Sequence, residues 1–144
     1  MTLLDAYPLV ALVADEPAAD EVEELLRGGG ARIVTVNLCE AIDVCLRVHL
    51  LRGAGVRAAI EPLFLVGGLT AVPSGTSEVW VAADLRARHY DRKKRALSLA
   101  DCFLLAHGSG NGEAIATADP AVAEVARAEG VEVIALPDST GTRP

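Results

Sequence analysis

The chain alternates short, strongly apolar runs with longer helical patterns, and an acid stands at or near the end of several of those runs. That alternation constrains the fold more than any single motif. Brief apolar runs suit strands of a parallel sheet covered on both faces, and the amphipathic stretches between them supply the connecting helices. Residues are 51% hydrophobic but only 3% aromatic, so the core must be built from Leu, Val, Ile and Ala. The expected architecture is a three-layer α/β/α sandwich around a short, mainly parallel sheet.

Thr2 to Leu4 reads as the first strand, ending at Asp5. Pro8 fits the opening turn of a helix to Val13, where its missing N–H has no partner to lose. Ala18 to Arg27 is a second helix, with Val22, Leu25 and Leu26 on one face. Gly28-Gly29-Gly30 follows a helix and precedes a strand, the reverse of a phosphate-binding loop, and is read as a turn. Arg32 to Val36 forms the second strand. Leu38, Ala41, Ile42, Cys45, Val48 and Leu51 then recur at helical spacing over Asn37 to Leu51, with Glu40 in the first turn. A helix over Val56–Val66, a strand over Leu69–Val72 and a helix from Thr76 or Ser77 to Tyr90 come next. Ser98 opens a further helix, and Gly108 to Gly112 reads as a loop. The strand Ala114–Thr117 leads to Asp119, and a helix Ala121–Ala128 and a strand Val131–Leu136 complete the domain. Residues 1–137 are expected as one domain and 138–144 as a tail.

Four acids stand out. Asp5 and Asp119 follow strands, while Glu40 and Asp101 lie near helix starts. Each alone has a plain structural use. Ser98-x-x-Asp101 is a capping box, Asp119 and Asp5 are good N-caps, and Glu40 favours the positive end of its helix. Together they point further, because in a parallel sheet these places share the edge where helix N-termini converge and ligands bind. Carboxylates gathered there repel one another and lose solvation, and a hard divalent cation with oxygen ligands removes that penalty. Mg²⁺ or Mn²⁺ suits such a set better than zinc, and His107 lies too far along its helix to join it. Carboxylate-held metal of this kind serves phosphodiester cleavage. Thr117 is a candidate to hydrogen-bond an acid or a metal-bound water.

The net charge of −7 disfavours a simple nucleic-acid coat. Arg86, Arg88, Arg92, Lys93, Lys94 and Arg95 are nevertheless packed into one stretch. Arg86, Arg88, Lys93, Lys94 and Arg95 are candidates for phosphate-backbone contacts, or else a solvated helix end. Cys39, Cys45 and Cys102 lack metal-type spacing and read as buried free thiols. No cleavable leader and no membrane-length apolar run is visible, so a cytoplasmic protein is expected.

LLDAYPLVALVADEPAADEVEELL, VNLCEAIDVCLR, LSLADCFLLA and IATADP, in that order and spacing, resemble the PIN-domain family, and most of all its VapC-type toxin ribonucleases. The resemblance implies a PIN-like fold in which Asp5, Glu40, Asp101 and Asp119 hold Mg²⁺ or Mn²⁺ and direct water onto an RNA phosphodiester. It also implies a small antitoxin that covers the site, and a homodimer. Two positions depart from the family. Tyr7 stands where Ser or Thr is common, and Pro120-Ala121-Val122-Ala123 follows the fourth acid. A non-catalytic PIN-like module that binds RNA or protein is the alternative.

Overall fold

In the computed structural model, which describes residues 1–144, every strand of a five-stranded sheet runs parallel to its neighbours. The strands are β1 (Thr2–Leu4), β2 (Ala31–Val34), β3 (Leu69–Val72), β4 (Ala114–Thr117) and β5 (Val133–Ala135), in the order β3-β2-β1-β4-β5. The helices are α1 (Ala6–Ala14), α2 (Ala19–Arg27), α3 (Thr35–Arg47), α4 (Gly53–Leu65), α5 (Thr76–His89), α6 (Leu99–Asn111) and α7 (Pro120–Ala128). The sandwich expected from the sequence is therefore present, and its sheet is parallel throughout.

Successive strand residues feed opposite layers, as the two-residue period of a strand demands. Leu4, Ile33 and Ala116 pack with α1 to α4, while Leu3, Val34 and Ile115 pack with α5 to α7. The chain leaves β1 toward β2 and β3 on one side, then returns to place β4 and β5 on the other. That reversal opens a crevice at the carboxyl ends of β1 and β4, the place where open α/β sheets bind ligands.

Several boundaries differ from the sequence pattern, each for a local reason. α1 begins at Ala6 because Asp5 caps it, so Pro8 sits at its third position rather than its first. α3 begins at Thr35, two residues early, which moves Glu40 out of the first turn. α6 continues through Gly108 to Asn111, where a loop was expected. Gly108 packs closely there: a Cβ at this position would lie 2.8 Å from Ile115 Cδ1 and 3.3 Å from Val131 Cγ1, so those side chains would have to shift. Gly112, at φ 63°, then ends the helix in the left-handed conformation that glycine accepts readily. Of the cysteines, Cys45 and Cys102 are buried as expected, but Cys39 faces solvent. The last residues are tied back, since Arg143 bonds both carboxylate oxygens of Glu21 and the Ala135 carbonyl.

α5 and α6 run antiparallel. Ser74, just before α5, meets His107 late in α6 at 3.1 Å, and Arg86 late in α5 reaches the Leu97 carbonyl just before α6. This return path carries the basic stretch over the connection into α6 and sets the first turn of α6 beside the β1 crevice.

Candidate metal centre

Asp5 is fixed before any ligand is considered. Its Oδ1 accepts from the Ala6 N–H at 2.7 Å, and its Oδ2 accepts from the Thr117 hydroxyl at 2.6 Å. Thr117 Oγ1 in turn accepts from the Asp119 N–H at 3.0 Å, so the hydroxyl proton has one direction left and points at Asp5. A strand residue on β4 thus orients a carboxylate just beyond the end of the neighbouring β1.

Asp101 is held by the capping box that its sequence spells out. The Ser98 hydroxyl accepts from the Asp101 N–H at 3.0 Å, and Asp101 Oδ2 accepts from the Ser98 N–H at 2.6 Å. Glu40 projects from the second turn of α3, half-buried and without a hydrogen-bond partner among the side chains around it. One carboxylate oxygen from each of Asp5, Glu40 and Asp101 lies within 4.8 Å of the others.

Asp119 is placed differently. It lines the same hollow of about 200 Å³ as Asp5, Tyr7, Glu40 and Asp101. Its Oδ1, however, caps α7 through the Ala121 and Val122 N–H groups at 2.6 and 3.3 Å, and the residue is exposed. It stands outside the close trio.

The trio is electrostatically uncompensated. No salt bridge reaches Asp5, Glu40, Asp101 or Asp119. Burial, then the Asp101 charge, pushes the Asp5 carboxyl up to about 7, against the pull of its bonds to Thr117 and Ala6. Burial raises Glu40, helped by Asp101 and Asp119. It also raises Asp101, where the two Ser98 bonds oppose the shift. An all-oxygen donor set of this density fits a hard cation, and the hollow has room for on the order of six waters around one.

Tyr7 lines the hollow, but its hydroxyl is buried without a partner, and burial next to Glu16 holds the phenol well above its usual range. The basic residues divide into two groups. Arg88 is engaged by Asp84 and Glu129, Arg95 lies 3.5 Å from Glu124, and Arg86 stacks over the Tyr90 ring. Lys93 and Lys94 are exposed and make no salt bridge, and their backbone N–H groups fold onto Asp91. The sequence pattern gave no role to Asn37, which is fully buried in the first turn of α3 with both amide atoms unpartnered. Its only signal is an amide among apolar helical positions.

The model of one family, described as the PIN domain, matches residues 2–128. The chain belongs to the PIN domain family. Solved structures agree on the fold. DNA-bound VapBC from Salmonella typhimurium superposes with a TM-score of 0.68 at 18% identity, over 92% of this chain and 96% of that one. The Mycobacterium tuberculosis VapC20, a sarcin-ricin loop cleaving toxin, gives 0.68 at 18% identity over 86% and 94%. VapBC2 from Rickettsia felis, bound to a promoter DNA fragment, gives 0.67 at 11% over 92% and 96%. No curated protein matches by sequence. This PIN domain carries its three clustered acids on β1–α1, α3 and α6, so they converge only through the tertiary fold.

Proposed function

We propose that this PIN domain is an Mg²⁺- or Mn²⁺-dependent endoribonuclease that acts in the cytoplasm as the toxin of a type II toxin–antitoxin pair. The observation that carries the reading is the trio Asp5, Glu40 and Asp101, gathered within 4.8 Å with no cationic side chain to balance it. Asp5, Glu40 and Asp101 would hold the ion, with Asp119 completing the set from the rim. When bound, the ion supplies Lewis-acid activation of water and neutralises charge that grows on the phosphoryl oxygens.

The chain's own groups do the positioning. Thr117 keeps Asp5 oriented by donating to Oδ2, and Ser98 keeps Asp101 oriented through the capping box. Asp119, exposed at the rim, is placed to accept a proton from a water entering the hollow. Arg92, Lys93 and Lys94 are the free cations of the basic stretch, and Lys93 and Lys94 are proposed to hold the flanking RNA backbone, with Arg86, whose Nε is taken by the Leu97 carbonyl, contributing through its remaining N–H groups. Arg88 and Arg95 contribute less, because Glu129 and Glu124 already occupy them.

An antitoxin is the proposed protein partner. Among the structural neighbours are VapBC and FitAB assemblies bound to DNA. This chain has an apolar groove of about 370 Å³ between α3 and α4, floored by Leu38, Ile42, Val56 and Ile60, on the helix that also carries Glu40. That groove lies on the face of α3 away from Glu40, and it is the proposed seat of an amphipathic segment of the antitoxin. The enzyme is further proposed to work as a homodimer.

The alternative, a binding module without catalysis, is favoured by one observation: Asp119 is committed to the α7 cap and stands apart from the trio. A single assay separates the readings. Purified protein should cleave RNA with Mg²⁺ or Mn²⁺, stop with EDTA, and stop on Asp101→Asn. RNA binding without metal-stimulated cleavage would favour the module instead.

A further inference from the structure

Among the polar side chains, Asp5, Asn37, His107, Glu113 and Thr117 are buried. Asp5 and Thr117 bond each other, His107 meets Ser74, and Glu113 meets Arg32. Asn37 alone has no partner. It is fully covered, and neither its Nδ2 nor its Oδ1 meets a hydrogen-bonding atom. A side-chain amide carries both donors and an acceptor, and leaving them unmade in the interior costs stability. Packing does not call for an amide here, since Ala41 and Cys45 continue the same buried stripe of α3 with apolar contacts. A leucine, which branches at the same carbon, would be the less costly residue.

The metal site has the complementary gap. Asp5 is oriented by Ala6 and Thr117, and Asp101 by Ser98, but no hydrogen bond holds Glu40. Glu40 is also the longest of the three acids and has the most rotamer freedom to lose on being fixed. Asn37 lies three residues before it on α3, a spacing that sets Cβ atoms about 5–6 Å apart on one face. Helical side chains lean toward the N-terminus, so Glu40 lies back over the turn that holds Asn37. Val44, which walls the hollow beside Glu40, follows Asn37 by about two turns and lies on almost the same line of the helix. Asn37 itself does not line the hollow, so it sits behind the acids rather than among them.

We propose that Asn37 is the positioning residue of Glu40: in the metal-loaded protein its Nδ2 donates to the Glu40 carboxylate and fixes that side chain against Asp5 and Asp101. The inference rests on the metal reading above. A neutral donor suits the task. It orients a carboxylate without cancelling the charge that attracts the cation, whereas Lys or Arg in that place would compete with the ion. It is also far less costly than a charge to leave unpartnered before an ion arrives.

Mn²⁺ binding to the intact chain without RNA, followed by electron paramagnetic resonance, tests this together with melting in EDTA. Asn37→Leu should weaken Mn²⁺ binding about tenfold or more and raise the melting midpoint in EDTA by about 3 °C. The opposite signs matter, because replacing a residue kept only for folding would lower the midpoint and spare the affinity, which overturns the proposal. Asn37→Ala adds no bulk and keeps the test open if leucine crowds the core, since the same loss of affinity is expected. In a Glu40→Ala chain, the further change Asn37→Ala should alter Mn²⁺ affinity by less than about twofold, because the side chain it positions is gone. Unchanged affinity in both Asn37 variants would overturn the proposal and leave the metal site standing, and so would a tenfold loss that persists without Glu40. A wild-type chain that binds no Mn²⁺ would remove the metal reading first and this one with it.

Discussion

Two acids, Asp5 and Glu113, lie at opposite edges of the same sheet and are equally hidden, each 4% exposed. Glu113 precedes β4 and lies 2.8 Å, through both oxygens, from Arg32 Nη1 on β2. Asp5 follows β1 and has other carboxylates for neighbours. Glu113 is neutralised from within the chain, and Asp5 is not. Burial alone does not mark a functional acid, since a buried charge paired with a guanidinium is a structural part. What distinguishes Asp5 is concentrated negative charge that the fold aligns by hydrogen bonds but does not balance.

Removing charge at each edge should have very different consequences. Asp5→Asn or Asp101→Asn should lower metal-dependent RNA cleavage by about 10³-fold or more, followed with a labelled oligonucleotide, while the fold persists by circular dichroism. Cleavage that survives either change would place the chemistry elsewhere.

Protonation should tell the same story in the metal-free protein. The Asp5 carboxyl sits at about 7 in the folded chain against an ordinary value of 3.8. The folded state therefore binds more protons than the unfolded one, and stability must fall as pH rises. This contribution is fully present below about pH 4 and is lost by about pH 8, on the order of 4 kcal/mol. Urea midpoints in EDTA at pH 5 and pH 8 measure it. Asp5→Asn should flatten the dependence, and added Mn²⁺ should restore stability at the higher pH. Equal wild-type midpoints would mean that the Asp5 charge is balanced after all.

At the other edge, Arg32→Met strands Glu113 and should cost about 3 kcal/mol of unfolding free energy. Arg32→Met combined with Glu113→Leu should recover to within about 1 kcal/mol of wild type, with cleavage per folded molecule unchanged. Activity that fell with the ion pair would link the two edges. The smallest effect belongs to Asp119→Asn. Asparagine caps a helix as well as aspartate, so stability should move by no more than about 0.5 kcal/mol, while cleavage drops about tenfold. A loss as large as that of Asp5→Asn would move Asp119 into the trio.

Sequence reasoning succeeded where the cause was local. Ser98-x-x-Asp101 encloses its own hydrogen bonds, and the structure forms both of them. The strand at Leu3–Leu4 was legible because adjacent apolar residues can serve opposite layers. It failed where distant packing overrode local preference. Gly108 to Asn111 has the composition of a loop, yet α6 continues through it, and Gly108 is buried against Ile115 and Val131, where its small size lets the helix pack closely. Glu40 falls in the second turn of α3 rather than the first, because nothing local marks Thr35, rather than Asn37, as the start of that helix. The bond from Thr117 to Asp5 spans 112 positions, and the Arg32–Glu113 pair spans 81. Neither separation leaves a periodic trace in the chain.

Gly108 also bears on the far end of its helix. It and Asp101 lie on α6 about 10.5 Å apart along the axis, so a side chain at 108 that pushed on Ile115 and Val131 would tilt the helix end that carries the carboxylate. A tilt of about 5° swings that end by roughly 1 Å, a displacement that can cost a reacting geometry about a hundredfold. Gly108→Ala should therefore disturb the spacing of Asp101 from Asp5 and Glu40 although the residue touches none of them.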